Sequence, residues 1–119
     1  MAWDFQDDVV VADSDNHRLQ VIRLSDGAHL RTIGSRGSGA GQFDPPYGVA
    51  FDSAGHIIVA DTDNHRVQVL RYSDGSHVRT IGSQGSGNGQ FDCPYGVSID
   101  GQGRIIVCEY SNHRIQVLQ

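Results

Sequence analysis

Short apolar runs separated by glycine-containing turns recur along the whole chain. Residues 57–60 read Ile-Ile-Val-Ala and are closed by Asp61, which is the pattern of a buried strand rather than a helix. Residues 66–71 and 77–81 alternate apolar and polar side chains, as strands covered on one face do. A further strand over 47–52 completes a unit of four strands. No stretch shows helical periodicity, so the pattern predicts an all-β protein.

The four-strand unit is repeated every 48 residues. The tetrapeptide Asp-Asn-His-Arg begins at residue 15 and again at residue 63, and Asn-His-Arg returns at residue 112. In an ungapped frame, residues 1–48 match 49–96 at 31 positions, and residues 49–71 match 97–119 at 12 of 23. A fixed period of this size indicates one supersecondary unit whose copies bury one another's apolar faces. The chain therefore holds about two and a half copies.

Four strands in a unit of this length, joined by glycine-rich turns, are typical of a β-propeller blade. We expect the antiparallel blades of a single domain at 1–34, at 47–82 and, as a partial third blade without its outer strand, at 95–119. The connector 82–91 leads from the outer strand of one blade to the inner strand of the next. Phe43 and Phe91 are predicted to plug the space between blades. A solenoid of β-hairpins is the alternative architecture.

The repeated segments resemble a known family. Gly-x-x-Gly-x-Gly-x-Gly-Gln-Phe, then Pro-Tyr-Gly-Val, then Ile-Ile-Val-Ala-Asp-x-x-Asn-His-Arg-x-Gln-Val, is similar to the NHL repeat. The pattern covers 34–69 and, with small departures, 82–117, while residues 1–33 carry its first part from Val9 onward. The resemblance implies a six-bladed propeller, common in tripartite-motif ubiquitin ligases, translational regulators, some lyases and many bacterial surface proteins. Such members mostly bind proteins or RNA, and a minority are enzymes.

The recurrent Asp-x-x-Asn-His-Arg segment is the main candidate for chemistry, because it brings a carboxylate, an amide, an imidazole and a guanidinium within six residues. A metal or acid–base cluster is one interpretation. A structural role is more economical for a segment present in every copy, with Arg66 pairing a carboxylate such as Asp61. The motif residues are Asp13, Asn16, His17, Arg18, Asp61, Asn64, His65, Arg66, Glu109, Asn112, His113 and Arg114. We predict no catalytic, cofactor-binding or metal-binding residue.

Carboxylates concentrate on one predicted face of the propeller, where the turn between second and third strands lies beside the connector. They are Asp13, Asp15, Asp44, Asp61, Asp63, Asp92 and Glu109. Such a ring can steer a basic peptide or hold a hard cation. Pairing of these groups within the fold is the interpretation that we favour.

Charge and cysteine usage narrow the class of protein. The net charge is -5 and every basic residue is arginine, which argues against a nucleic-acid binder. Cys93 and Cys108 do not recur between copies, so we expect two incidental thiols in a reduced, cytoplasmic protein. No apolar run approaches the roughly 18 residues of a membrane span, and no signal peptide is visible. Trp3 aligns with Phe51 and is expected in the core.

Near-identical copies favour a non-enzymatic scaffold for protein–protein interaction, because an enzyme needs a unique constellation of residues. Two chains supply six blades, so we predict a homodimer that closes a six-bladed ring and uses one interface twice. A protein or peptide on the loop face is a further expected partner. The alternatives are a propeller hydrolase or lyase with a channel metal, and an RNA-binding domain of a ubiquitin ligase or translational regulator. Copies this alike indicate a recent duplication or engineering.

Overall fold

Three antiparallel sheets make up the structure, which is a computed structural model describing residues 2–3 and 7–118, with side chains from residue 7 onward. The first sheet contains β1 (Ala2–Trp3), β2 (Asp8–Asp13), β3 (Arg18–Arg23) and β4 (His29–Ile33). The second contains β5 (Pro46–Phe51), β6 (His56–Asp61), β7 (Arg66–Arg71) and β8 (His77–Ile81). The third contains β9 (Pro94–Ile99), β10 (Ile105–Glu109) and β11 (Arg114–Leu118). The predicted all-β propeller architecture is confirmed.

Strand order in each sheet follows chain order, as expected for propeller blades joined by hairpins. The ladder between β6 and β7 runs without interruption from His56 opposite Arg71 to Asp61 opposite Arg66. Asp61 and Arg66 are the last pair of this ladder. Both residues therefore lie at the end of the sheet from which the turn between β6 and β7 projects. Among the described residues there is no helix long and apolar enough to cross a membrane.

Apolar side chains fill the space between neighbouring sheets. One cluster joins the first and second sheets and contains Val10, Leu19, Val21, Ile33, Phe43, Val49, Ile57, Val59 and Leu70. The other joins the second and third sheets and contains Ile58, Val67, Val69, Phe91, Ile105 and Val107. Phe43 and Phe91 are both fully buried, one in each cluster. The core therefore lies between blades, and each blade depends on its neighbour for burial. The expected burial of Trp3 lies outside the described side chains.

The inner strands β5 and β9 approach each other closely at Gly48. A Cβ atom added there would lie 2.6 Å from the Tyr95 carbonyl oxygen and 2.8 Å from the Val97 amide nitrogen. Real Cβ atoms essentially never come so near, so the spacing of these two blades requires glycine at this position. The approach brings Tyr47 and Tyr95 side by side at the start of their strands, where their rings stack with centroids 4.7 Å apart.

Candidate functional site

One face of the sheets carries the three turns built from the recurrent motif, residues 13–18, 61–66 and 109–114, which we call the motif turns. After β6 the chain forms a short 3₁₀ segment, Thr62–Asn64, and then reverses at His65 in the left-handed conformation with φ of 54°. The Thr62 and Asp63 amides donate to the Pro45 and Asp44 carbonyls at 3.1 and 2.7 Å. Motif turns and blade connectors therefore lie together, and we call this side of the molecule the loop face.

Asp61 is the centre of the second motif turn. Its carboxylate is fully buried and accepts hydrogen bonds from Arg66 Nε at 2.8 Å and from Asn64 Nδ2 at 3.0 Å. The Asp44 amide and the Gln68 side chain donate to it at 2.7 and 3.1 Å. A buried carboxylate is tolerated where its lone pairs are satisfied and a cation pairs with it. The arrangement is the ion pair that the sequence suggested for Asp61 and Arg66.

Arg66 also holds the preceding connector in place. Its guanidinium donates to the carbonyl oxygens of Ser38, Gly39 and Gln42, each at 2.9 Å. Asn64 adds a bond of 2.8 Å to the Gly37 carbonyl. The Gly39 and Gln42 carbonyls also accept bonds from the Gln42 amide at 3.1 Å and the Gln68 side chain at 2.6 Å, so the planar fork of Arg66 adds to the bonds that fix this glycine-rich loop.

The third motif turn repeats this geometry with Glu109 in place of the aspartate. Glu109 accepts bonds of 2.6 Å from both Arg114 Nε and Asn112 Nδ2, and Gln116 donates at 2.8 Å. Burial raises the pKa of Glu109, but these bonds, first that from Arg114, outweigh burial and hold the pKa below its usual 4.5. His113, in the same turn, has the left-handed φ of 49°. The longer carboxylate side chain thus keeps the same set of donors.

The first motif turn is more open. Asp13 accepts bonds from Arg18 Nε at 3.0 Å and from Asn16 Nδ2 at 3.1 Å. The bond from Arg18 is the main reason why the pKa of the Asp13 carboxyl lies below its usual 3.8. The Arg18 side chain is 39% exposed, against 13% for Arg66. The motif amide and guanidinium therefore bind the motif carboxylate within one blade. In the second turn, the amide and guanidinium also bind the connector packed against that blade.

The motif histidines of the first two blades, His17 and His65, reach toward the following blade instead. His17 Nδ1 lies 3.4 Å from Asp44 Oδ1, and His65 Nδ1 lies 3.4 Å from Asp92 Oδ1. The Cys93 amide also donates to His65 Nδ1 at 3.1 Å. The motif thus contributes an imidazole to each junction between described blades, which reasoning on one repeat at a time does not reveal.

The carboxylates of the loop face fall into two groups. Asp13, Asp61 and Glu109 are paired inside their motif turns, as described above, and Asp44 also has Arg36 Nε at 3.9 Å. Asp15 and Asp63 are exposed on the motif turns. Most carboxylates of the predicted ring are therefore paired within the fold and do not form a ring of free negative charges. Asp63 remains as an exposed negative charge between the second and third blades.

A pocket of about 270 Å³ opens beside Asp63. Its walls are Tyr47, Thr62, Asp63, Cys93, Tyr95 and Tyr110. The stacked tyrosines of β5 and β9 form one side, and Tyr110 is 73% exposed. Aromatic faces with one carboxylate can hold a cationic or planar group. The pocket does not follow from the pattern of a single repeat, although the recurrence of Pro-Tyr-Gly at 46–48 and 94–96 is the signal from which the paired rings could be found.

Comparisons with known proteins agree with this description. The family model for the NHL repeat matches residues 43–70 and 91–118. A Bacteroides thetaiotaomicron protein of unknown function superposes with a TM-score of 0.75 at 21% identity, over 91% of this chain and 31% of its own. A chain of a nidogen/laminin complex gives 0.74 at 19% identity, over 98% of this chain and 45% of that one.

The WD40 repeats of RRP9 are a third similar structure, with a TM-score of 0.61 at 16% identity, over 98% of this chain and 35% of that one. At these identities the likeness shows the fold alone. The chain spans less than half the length of each of these three structures. Comparison with curated proteins finds no match.

Proposed function

Because this chain carries NHL repeats folded as β-propeller blades, we propose that it is a non-enzymatic scaffold for protein–protein interaction. It closes a propeller with a second copy of itself and binds a partner protein on the loop face. The observation that carries this proposal is an apolar surface on the third sheet that has no cover among the described residues.

This surface consists of Ile115 and Val117 on β11, whose side chains leave 65% and 56% of their area exposed. One repeat earlier, the same positions hold Val67 and Val69, which are 0% and 3% exposed because the third blade packs on them. Large apolar surfaces left open are typical of interaction sites. We infer that the exposed apolar face of β11 packs against another blade.

A second copy of the chain supplies the residues that correspond to this contact. Within the chain, Val67 and Val69 of one blade pack against Ile105 and Val107 of the next. Val9 and Val11 occupy the corresponding positions on β2 of the first sheet, 96 residues before Ile105 and Val107, and within one chain Val9 is already 5% exposed and Val11 half-buried. The third blade of one copy can thus meet the first blade of another in the manner already used between blades. Two copies give six blades, within the roughly 4–8 with which propellers close.

The pocket on the loop face suits a basic segment of a partner protein. Stacked tyrosine rings offer their negative faces to an arginine or lysine side chain, and Asp63 adds an exposed carboxylate. The net charge of -5 favours approach of such a partner. The same charge supports the prediction that the chain does not bind nucleic acid.

Titration with a short peptide containing one arginine tests the loop-face role, with the neutral citrulline peptide as its control. We expect Tyr95→Leu to weaken binding of the arginine peptide about two- to tenfold, the range of one cation–π contact. Val78→Ala, on the outer strand β8, should leave binding unchanged. Equal affinity for both peptides, or no effect of Tyr95→Leu, would overturn the assignment of the pocket.

A further inference from the structure

We propose that His65, Asp92 and Cys93 form a binding site for a zinc ion. They lie where the motif turn of the second blade meets the chain entering the third blade, and one potential ligand atom from each lies within 4.8 Å of the others. Imidazole nitrogen, carboxylate oxygen and cysteine sulfur are the ligands by which proteins bind zinc. His65 and Cys93 are far apart in the sequence, so no short ligand motif announces the site.

An imidazole nitrogen of His65 and a carboxylate oxygen of Asp92 face each other at this junction. The Cys93 amide donates to His65 Nδ1 at 3.1 Å, so this nitrogen is an acceptor and directs its lone pair toward Cys93. Asp92 Oδ1 lies 3.4 Å from the same nitrogen. In a tetrahedral zinc site with bonds of about 2.0–2.1 Å, neighbouring ligand atoms are about 3.3–3.4 Å apart. The pair thus has the spacing that one shared zinc ion requires.

The preceding junction provides an internal comparison. His17 and Asp44 repeat the histidine–carboxylate pair, again with 3.4 Å between Nδ1 and Oδ1. There the residue aligned with Cys93 is Pro45, which has neither a thiol nor an amide hydrogen. His17 Nδ1 is accordingly buried without a hydrogen-bond partner. The sulfur ligand distinguishes the second junction, and sulfur favours zinc over magnesium or calcium.

Solvent reaches the proposed site. The side chains of His65 and Asp92 are 19% and 36% exposed, and Cys93 is a free, half-buried cysteine that also lines the tyrosine pocket. Three protein ligands leave one tetrahedral position, which water fills. Zinc replaces the amide bond at His65 Nδ1 and displaces the thiol proton of Cys93 into solvent. Affinity therefore falls as the solution is acidified.

Zinc titration of the reduced protein by calorimetry, with cobalt(II) as a spectroscopic probe, tests the site. We expect cobalt to give a sulfur-to-cobalt charge-transfer band in the near ultraviolet. Cys93→Ser should abolish this band and weaken zinc binding by at least about tenfold. Cys108→Ser removes the other free cysteine, which is exposed on β10, and should retain both. Circular dichroism of each variant verifies that the sheets are intact.

A second pair of variants separates the carboxylate from the thiolate. Asp92→Asn should weaken zinc binding and keep the charge-transfer band at saturating cobalt, whereas Asp44→Asn at the matched position should change neither. The proposal is overturned if cobalt gives no such band, if Cys93→Ser binds zinc as tightly as the unmodified chain, or if Asp44→Asn weakens zinc as much as Asp92→Asn. These results do not depend on whether the chain dimerises or binds a peptide.

Discussion

At the scale of single residues, the Arg66 guanidinium compensates the burial of the Asp61 carboxylate. Its side chain is 13% exposed and that of Asp61 is fully buried. Arg66→Ala leaves this carboxylate without its cation and removes three hydrogen bonds to connector carbonyls, so we expect a loss of about 1–3 kcal/mol in the free energy of unfolding. Urea denaturation of the variant and the unmodified chain measures this difference.

Arg71→Ala is the matched control, since Arg71 also belongs to β7 but its side chain is 54% exposed and lies 3.8 Å from an exposed Asp74. Exposed pairs of this kind contribute little to stability. The control should leave the urea midpoint unchanged. An unchanged midpoint for Arg66→Ala would contradict the structural role of the motif arginine.

Glu109 makes stability depend on pH in a defined direction. Its pKa in the folded chain lies below the usual 4.5 of the unfolded chain. The carboxylate therefore stabilises the fold fully above pH 4.5, and this contribution is lost as pH falls through the folded-state pKa. We expect Glu109→Gln to be less stable than the unmodified chain at neutral pH, with a difference that shrinks on acidification.

Urea denaturation at a series of pH values measures that difference, with Asp15→Asn at an exposed position as control. The control should follow the pH dependence of the unmodified chain. A difference between Glu109→Gln and the unmodified chain that stays constant from neutral to acidic pH would show that the bonds of Glu109 do not favour its charged form.

Whether a contact between two side chains can be predicted from the sequence depends on how many residues separate them along the chain. Asp61 and Arg66 are five residues apart in a repeated motif, so their pairing follows from the sequence once two strands are placed around them. The Tyr47–Tyr95 stack and the contacts of His65 with Asp92 and Cys93 join neighbouring blades. They depend on how closely two blades pack, which the hydrophobic pattern of a single repeat does not specify.

At the scale of strands, the close approach of β5 and β9 makes Gly48 a sensitive position. Gly48→Ala places a Cβ atom 2.6 Å from a backbone oxygen, so the inner strands must separate. Overpacking of this kind typically costs about 1–3 kcal/mol. We expect a corresponding fall in thermal stability by calorimetry. Gly101→Ala meets nothing within 4 Å and should be neutral; equal effects of the two substitutions would contradict the observed blade spacing.

The observed strand limits can be compared with those that the pattern of apolar and polar residues predicts. Alternation of apolar and polar residues placed β7 and β8 at their observed limits, but the expected half-covered faces are wrong for β7, where Gln68 is as buried as its apolar neighbours. The predicted strand at 57–60 is longer in the structure, which extends it to His56 and Asp61. These polar ends pair with Arg71 and Arg66, so the ladder continues beyond the apolar run.

At the scale of the whole molecule, the apolar face of β11 determines assembly. Ile115→Asp places a charge where a second copy would pack, at an exposed position that tolerates it within one chain. We expect this variant to fold and to dissociate at concentrations where the unmodified chain associates, as measured by sedimentation velocity. Val78→Asp, on the outer strand β8, should associate normally. Identical association of all three proteins would exclude β11 as the contact surface.

The mass of the unmodified chain in solution tests the central claim most directly. A scaffold that closes its propeller with a second copy has twice the chain mass of 12.9 kDa. Light scattering coupled to gel filtration at micromolar concentration should therefore give a single species of that doubled mass. A stable species of 12.9 kDa at the same concentration would contradict the proposed assembly.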